Sequence, residues 1–324
     1  MKTYRIPHTD IDATRLAYGC MKIGGRWDTS PLTAAIRKSA AASVDAALEA
    51  GINFFDHANI YTRGKSETVF GEMLAERPGL RDRMYLQTKC GIRFSGDPDP
   101  HSPARYDYSY KHIVESAEGS LKRLQTDRID ILLLHRPDAL VEPEEVARAF
   151  SELHQSGKVR YFGVSNHNQW QIDLLRKHVQ QPLVANQLEL NLLHYDMVNE
   201  GVMVNQDEAN YSGATGILDY CRLHDILVQA WSPVAVGDLI EPAEKSSARV
   251  KKAARAVAKM AKEKGTSREA IALAWLLRHP AGIQPVVGTT KPERIAASAL
   301  ADGIELSREE WYSLLVESRG EEVA

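Results

Sequence analysis

The chain has 324 residues, of which 44% are hydrophobic and 26% charged, the composition of an ordinary soluble globular protein. The 40 Lys and Arg residues against 43 Asp and Glu residues give a formal net charge of −3, which argues against nucleic acid or an anionic membrane as a partner. Three cysteines lie far apart, there is no apolar leader at the N-terminus, and no apolar run reaches about 18 residues. We therefore expect a cytoplasmic protein without a disulfide framework.

Short apolar runs predict eight strands, and helical patterns separate them. In chain order the strands are expected at residues 16–19, 52–55, 84–88, 129–134, 159–164, 183–187, 226–230 and 283–287. Helices are expected after Ser30, which precedes a proline and is the predicted N-cap, and at or near residues 66–74, 113–124, 142–155, 174–178, 216–223, 249–264, 268–278, 292 onward and 306–316.

The strands read as continuous apolar runs rather than as an alternation of apolar and polar residues. This pattern indicates strands that are buried on both faces, and hence a parallel sheet covered by helices. Eight such units without a linker predict one α/β domain over residues 1–324, a (β/α)8 TIM barrel with an extra C-terminal helix. An open doubly wound sheet is the alternative. The connections at residues 91–108 and 192–212 are long, which is typical of functional loops.

Polar residues stand where several predicted strands end, and in a barrel these ends meet on one rim. A phenol with a pKa of about 10 is a poor proton donor at neutral pH. A neighbouring ammonium lowers the pKa of a phenol, and a carboxylate keeps the ammonium charged and in place. Tyr61, Lys89 and Asp56 supply these three groups, and His135 could orient a carbonyl. The set predicts proton delivery to a carbonyl oxygen while a hydride reaches the carbon.

Seven segments follow in order along nearly the whole chain and make a resemblance specific: FFDHANIY, QTKCG, LLLHRPD, GVSNH, NQLELN, AWSPVAVG and PVVGTTKPERI. They resemble the aldo-keto reductases, and LHQSGKVRYFGVSN and LSREEWYSLL are most similar to a bacterial oxidoreductase subgroup of that family. The resemblance implies a (β/α)8 barrel that reduces a small-molecule aldehyde or ketone with NADPH. NAD(H) stays an open alternative, and the oligomeric state and the physiological substrate are unspecified.

Residue roles follow from the resemblance by position. Tyr61 would be the general acid, Asp56 and Lys89 would tune it, and His135 would orient the carbonyl. Trp27 is the candidate substrate contact. The candidate cofactor-binding residues are Met21, Ser165, Asn166, Gln187, Trp231, Ser232, Gly288, Thr289, Arg294 and Ser298. Among them the resemblance implies contacts to the nicotinamide carboxamide (Ser165, Asn166, Gln187), ring stacking (Trp231), contacts to the 2′-phosphate (Thr289, Arg294) and a position near the adenine (Ser298).

The chain departs from the family pattern at two places that bear on the cofactor and the substrate. Met21 lies in a loop where many relatives have Thr-Trp, and Gly288 stands where many have a lysine for the phosphate, with Lys291 as a candidate substitute. The chain ends soon after its last predicted helix, so we expect the loops at residues 25–27, 91–108 and 192–212 to set substrate selectivity.

Two other classes of function stay open. Lys89 at a strand end could form a Schiff base in a lyase. The same scaffold could also be a non-enzymatic NADP(H)-binding regulator. Tyr61 and Lys65 fit the YxxxK spacing of short-chain dehydrogenases, but Gly64 predicts a loop there and no GxGxxG follows the first strand. The sequence has neither a CxxC pair nor an HExxH motif, so a zinc site has no support. His57 and Cys90 are interpreted as structural.

Overall fold

The structure is a computed structural model, and it describes residues 1–203 and 216–323. The strands in these two stretches are β1 (Thr3–Arg5), β2 (Asp12–Thr14), β3 (Ala17–Gly19), β4 (Phe54–Asp56), β5 (Tyr85–Cys90), β6 (Ile92–Arg93), β7 (Arg105–Tyr106), β8 (Ile129–Leu134), β9 (Val159–Ser165), β10 (Leu183–Glu189), β11 (Leu227–Trp231) and β12 (Gln284–Val287). The α-helices there are α1 (Ala34–Glu49), α2 (Lys65–Glu76), α3 (Tyr110–Leu124), α4 (Pro143–Gln155), α5 (Gln169–Arg176), α6 (Asp196–Val202), α7 (Ile217–Leu223), α8 (Ala248–Glu263), α9 (Arg268–Leu277), α10 (Pro292–Ala299) and α11 (Arg308–Arg319).

Eight parallel strands close into a barrel. Strands β3, β4, β5, β8, β9, β10, β11 and β12 follow one another around it in chain order, and β12 pairs with β3. The predicted (β/α)8 barrel is therefore confirmed, and the open sheet is wrong. Because all eight strands run in the same direction, the residues at their C-terminal ends share one rim.

The barrel strands are buried on both faces, as their apolar runs predict. All six residues of β8 are buried. On the outer face the rings of Phe150 in α4 and Phe162 in β9 stack with their centroids 4.0 Å apart. On the inner face Phe54 and Leu133 belong to one apolar cluster. Each fully buried side chain of this size stabilises the fold by about 1.5–3 kcal/mol.

An N-terminal hairpin closes the barrel interior at the end opposite the rim. Strands β1 and β2 pair antiparallel, and Ile6, Ile11 and Ala13 of this segment pack in the same cluster as the inward-facing barrel residues. This hairpin was not predicted from the sequence, because its strands have only three residues each.

Local differences from the predicted elements have simple physical reasons. Helix α1 begins at Ala34, and the Thr33 side chain caps it by accepting from the Ile36 amide, so the predicted N-cap at Ser30 is wrong. The amide of Ser30 instead donates to Asp28 in a turn. The predicted loop at residues 91–108 contains the two-stranded sheet β6–β7, and helix α6 lies in the second long loop. Residues 204–215 of that second loop lie outside the described part of the chain.

Over residues 1–203 and 216–323, none of the helices combines the length and the apolar character needed to cross a membrane.

Candidate active site

Four side chains meet at the C-terminal rim of the barrel. Asp56 ends β4, Tyr61 follows five residues later, Lys89 lies near the end of β5, and His135 follows β8. The Lys89 Nζ atom lies 2.7 Å from each carboxylate oxygen of Asp56 and 3.0 Å from the Tyr61 hydroxyl. The rings of Tyr61 and His135 are 6.0 Å apart. The structure thus brings together the four predicted catalytic residues.

Burial sets the charge states of this cluster. The exposed fraction is 0% for Lys89, 2% for Asp56 and 9% for both Tyr61 and His135. Burial alone would lower the pKa of Lys89, but the Asp56 carboxylate and Tyr61 outweigh it and raise that pKa above its ordinary value. Lys89 is therefore held as an ammonium ion, and its Nζ atom also donates to the His57 carbonyl oxygen at 2.8 Å.

The tyrosine differs from the sequence-based expectation. Burial raises the pKa of Tyr61, and the Lys89 ammonium only opposes that rise. The expected net lowering of the pKa is thus wrong, because the polar loop that carries Tyr61 folds inward and places the phenol in the protein interior. Burial, followed by the nearby charges of Lys89 and Arg136, also lowers the pKa of His135 well below its ordinary value. At neutral pH the site therefore presents a protonated phenol and a neutral imidazole.

The backbone that carries Tyr61 is held in an uncommon conformation. Thr62 and Arg63 have φ values of 47° and 57°, a left-handed region that β-branched residues such as threonine rarely adopt. The Thr62 hydroxyl donates to the Tyr61 carbonyl at 2.7 Å and lies 2.9 Å from the Ser66 hydroxyl. A Cβ atom on Gly24 would lie 2.1 Å from the Thr62 Oγ1 atom, so the first rim loop packs directly against this segment. Such strain persists only where the surroundings hold it, and here it fixes the position of Tyr61.

A second group of candidates is linked across the ends of β8 to β11. The Asn166 side-chain nitrogen donates to the His135 carbonyl at 3.1 Å and to the Ser165 hydroxyl at 2.8 Å. The Trp231 indole nitrogen donates to the Asn166 side-chain oxygen at 3.1 Å. Asn166 and Ser232 both have left-handed backbones, with φ values of 62° and 51°. These contacts hold the half-buried Trp231 ring at the rim.

Gln187 is the cofactor candidate that contacts the carboxylate of the Lys89 cluster. Its side-chain nitrogen donates to Asp56 Oδ1 at 3.0 Å and to the Gln229 side-chain oxygen at 3.1 Å. Gln87 makes the same two kinds of contact, and neither Gln87 nor Gln229 was predicted as a site residue. A signal was present, since each lies two residues before a rim residue, Lys89 or Trp231, and alternate residues of a strand share one face.

The candidates for the phosphate end lie after β12. Gly288 is exposed, and a Cβ atom there would meet nothing within 4 Å. Arg294 in α10 forms an ion pair with Glu269 of α9, with 3.0 Å between Nε and Oε1. The Ser298 hydroxyl donates to the Arg294 carbonyl at 2.8 Å, and the Tyr18 hydroxyl donates to the Thr289 carbonyl at 3.1 Å. These residues form one local unit, separate in its contacts from the Lys89 cluster.

Exposed aromatic and cationic groups lie along the rim near the phenol. Trp27 is 46% exposed, and its ring is 6.3 Å from the Tyr61 ring in an edge-on arrangement. Met21 is 38% exposed, and its carbonyl accepts from Ser66. The Arg136 guanidinium lies 5.7 Å from the centre of the Trp231 ring. A ligand at Tyr61 would thus contact an aromatic surface on one side.

Comparison with known proteins shows which family the chain belongs to. Residues 15–314 match the family described as Aldo/keto reductase family. The chain belongs to this family. It is 37% identical over 317 residues to the 6-dehydroglucose reductase of Agrobacterium fabrum, covering 97% of each chain. It is also 39% identical over 277 residues to the uncharacterized oxidoreductase YcsN of Bacillus subtilis, covering 85% of this chain and 87% of that one.

Solved aldo/keto reductase structures share the fold. The glycerol dehydrogenase of Gluconobacter oxydans superposes with a TM-score of 0.81 at 27% identity, covering 98% of this chain and 96% of that one. The holo form of an aldo-keto reductase from Bacillus halodurans gives a TM-score of 0.76, covering 98% and 96%, and at 24% identity it shows the fold alone. The predicted membership of the aldo-keto reductases is confirmed, and the protein is an oxidoreductase of that family.

Proposed function

We propose that this protein reduces aldehydes or ketones to alcohols with NADPH, with Tyr61 as the proton donor. The observation that carries the proposal is the buried contact between the Lys89 ammonium and the Tyr61 hydroxyl, 3.0 Å apart, with Asp56 bound to the same ammonium through both oxygens. A protonated phenol beside a fixed positive charge is a suitable general acid for an oxygen that gains electrons.

The side chains act on the carbonyl oxygen. Bound nicotinamide would supply the hydride to the carbonyl carbon. As negative charge develops on the oxygen, Tyr61 transfers its hydroxyl proton to it, and the phenolate left behind is stabilised by Lys89. At an effective dielectric constant of about 20, two opposite charges this close attract by several kcal/mol. The neutral His135 can donate one hydrogen bond to the same oxygen and so orient the carbonyl.

The residues along the rim fit a nicotinamide dinucleotide. Ser165, Asn166 and Gln187 would bind the carboxamide, and Trp231 would stack on the ring. The support is the half-buried indole held by Asn166 and the strained backbone at Asn166 and Ser232, since strained residues cluster at ligand sites. Contacts to the rest of the cofactor would come from Met21, Ser232, Gly288, Thr289, Arg294 and Ser298.

The preference for NADPH rests on Arg294. Only its Nε atom is engaged by Glu269, which orients the guanidinium and leaves its terminal nitrogens for a 2′-phosphate. NADH is the alternative cofactor, because Gly288 supplies no positive charge at the end of β12. As substrate class we propose sugar-derived aldehydes, since two relatives at 37% and 36% identity bear the name 6-dehydroglucose reductase. Trp27 near Tyr61 suits the apolar face of a sugar ring.

The state of Lys89 bears against the Schiff-base alternative. Its Nζ atom contacts both oxygens of Asp56, the His57 carbonyl and Tyr61, and its pKa is raised, so it is a charged donor rather than a free amine nucleophile.

A panel of sugar aldehydes, simple aldehydes and ketones, run with NADPH and separately with NADH, tests the proposal through the absorbance of the reduced nicotinamide. We expect turnover with aldehydes and a lower KM for NADPH. A protein–carbonyl adduct trapped by borohydride without nicotinamide oxidation would favour the lyase. Tight NADPH binding with negligible hydride transfer in stopped flow would favour the regulator.

A further inference from the structure

Four glutamine side chains meet inside the barrel below the Lys89 cluster. Gln87, Gln187, Gln229 and Gln284 lie on the four strands β5, β10, β11 and β12, and none is more than 2% exposed. A buried amide without partners is costly, and apolar side chains would fill the same space without that cost. So many interior amides at one level therefore need a reason beyond packing.

The four amides form a continuous chain of hydrogen bonds. Gln284 donates to the Thr14 carbonyl at 2.8 Å, and Gln229 donates to the Gln284 side-chain oxygen at 2.8 Å. The Gln229 side-chain oxygen accepts from Gln87 at 2.8 Å and from Gln187 at 3.1 Å. The same two nitrogens also donate to Asp56 Oδ1, at 2.6 Å and 3.0 Å.

The two ends of this chain dictate the orientation of every amide in it. The Thr14 carbonyl can only accept, so Gln284 must present its nitrogen there and its oxygen to Gln229. Gln229 must then present its nitrogen to Gln284 and its oxygen to Gln87 and Gln187. Gln87 and Gln187 must both present their nitrogens to Gln229 and to the Asp56 carboxylate, which can likewise only accept. Each step agrees with the next, so no amide can turn over without opposing a neighbour.

We propose that the amides of Gln87, Gln187 and Gln229 position the Asp56 carboxylate for catalysis, with Gln87 and Gln229 as positioning residues for proton transfer by Tyr61. The inference rests on the proposed function. Asp56 Oδ1 accepts from Lys89, Gln87 and Gln187 together, which prevents rotation of the carboxylate and keeps both of its oxygens on the ammonium. The Gln229 side-chain oxygen holds both Gln87 and Gln187 in this orientation.

One unpaired atom argues that stability alone does not explain the arrangement. The side-chain oxygen of Gln87 is buried and has no hydrogen-bond partner, so its amide is kept at the cost of one unsatisfied acceptor. The Gln87 side-chain nitrogen, in return, makes the shorter of the two amide contacts to Asp56. We therefore assign to the buried Gln87 amide the role of orienting Asp56.

The effect of the glutamine chain should be measurable as a change in the pKa of Tyr61. Among the titratable groups that act on Tyr61, Lys89 lowers its pKa, and the smaller effects of Asp56 and the buried Cys20 raise it. His135 stays neutral and adds no charge there. If Asp56 turns away and the ammonium moves from the phenol with it, the loss of the larger Lys89 effect outweighs the loss of the Asp56 effect, and Tyr61 becomes a weaker acid. Both a slower proton transfer and a higher pKa of Tyr61 follow.

The test replaces single glutamines by methionine, which has a similar length and no amide. We expect Gln87→Met and Gln229→Met to lower kcat about tenfold and to move the alkaline limb of the pH–rate profile to higher pH. Gln284→Met is the matched control, since Gln229 still accepts from two donors in that variant. It should lose as much thermal stability as Gln229→Met but keep its kcat within about twofold. Equal kcat and equal pH profiles in the Gln229 and Gln284 variants would overturn the proposal.

A titration without turnover separates this inference from the proposed function. Tyrosinate absorbance is followed against pH, and the same variant carrying Tyr61→Phe is subtracted, so that only Tyr61 is seen. We expect Gln229→Met to raise the pKa of Tyr61 and Gln284→Met to leave it in place, whether or not a substrate has been found. If Gln229→Met does not fold, Gln87→Met takes its place, and an unchanged titration of Tyr61 contradicts the inference. Absence of turnover in the wild-type protein would contradict the proposed function alone.

Discussion

The Lys89 Nζ atom lies 3.0 Å from the Tyr61 hydroxyl oxygen, and neither side chain is more than 9% exposed. Asp56 binds the same ammonium at 2.7 Å through both of its oxygens. A charged group this deep is stable only while its partner is present. Both the stability and the activity of the protein should therefore depend on this ion pair and its contact with the phenol.

Removing the two members of the ion pair should separate stability from activity. Lys89→Met leaves Asp56 as an uncompensated buried charge, and we expect a loss of about 3–5 kcal/mol in the free energy of unfolding together with a large fall in kcat. The double variant Asp56→Asn/Lys89→Met should regain much of the stability and none of the activity. Denaturant unfolding and steady-state kinetics measure the two effects. Recovery of kcat in the double variant would refute the role of the ammonium.

The two directions of the reaction should respond to pH in opposite ways. Reduction needs a protonated Tyr61, so its rate should fall as the pH rises through the pKa of this residue, which burial has raised. Oxidation of an alcohol needs the phenolate as proton acceptor, so its rate should rise over the same pH range. Initial rates in both directions across one set of buffers provide the measurement. Two profiles that move in the same direction would exclude Tyr61 as the group that titrates.

His57 should make the fold sensitive to acid. Burial, assisted by Lys89, lowers the pKa of His57 to about 3 from its ordinary value of 6.5. Because the folded state holds this histidine neutral, its stability is fully present above pH 6.5 and is lost as the pH falls toward about 3. His57→Leu should therefore weaken the pH dependence of Tm in that window, whereas His101→Leu, at an exposed position, should not change it. The same acid dependence in all three proteins would be inconsistent with this account.

Cofactor choice should depend on Arg294. Without this guanidinium the 2′-phosphate loses a charge-assisted contact, so Arg294→Ala should weaken NADPH binding about tenfold or more and leave NADH binding nearly unchanged. Fluorescence titration with each nucleotide gives both Kd values. Lys291→Ala, which removes an exposed cation three residues earlier, is the control and should show a smaller effect. Equal losses for the two nucleotides in Arg294→Ala would count against the phosphate contact.

Much of the fold was predictable from the sequence because strands that are buried on both faces appear as continuous apolar runs. Strand β8 was predicted at its observed bounds, since five of its six residues are apolar and all six are buried. Gly51 follows Ala50, the C-cap of α1, and its φ value of 80° is the left-handed conformation that glycine favours after a helix. The sequence could place Asp56, Tyr61, Lys89 and His135 on one rim because each lies at or just after the end of a predicted strand.

The features that were missed depend on long-range contacts. The three-residue strands β1 and β2 carry too few residues for a periodic pattern, and only their contact with the barrel interior makes them strands. The burial of Tyr61 depends on the packing of Gly24 against Thr62, which are 38 positions apart in the chain. The chain of glutamines joins four strands, and no single segment shows it.

Replacing Tyr61 by phenylalanine tests the central claim most directly, because it removes one hydroxyl from the buried cluster and leaves the aromatic ring. Single-turnover reduction of an aldehyde is measured by stopped flow with NADPH, and the Kd of NADPH is measured in parallel. We predict that hydride transfer slows by at least about 100-fold while the Kd stays within about twofold of the wild-type value. A rate of hydride transfer equal to that of the wild-type protein would contradict the assignment of Tyr61 as the proton donor.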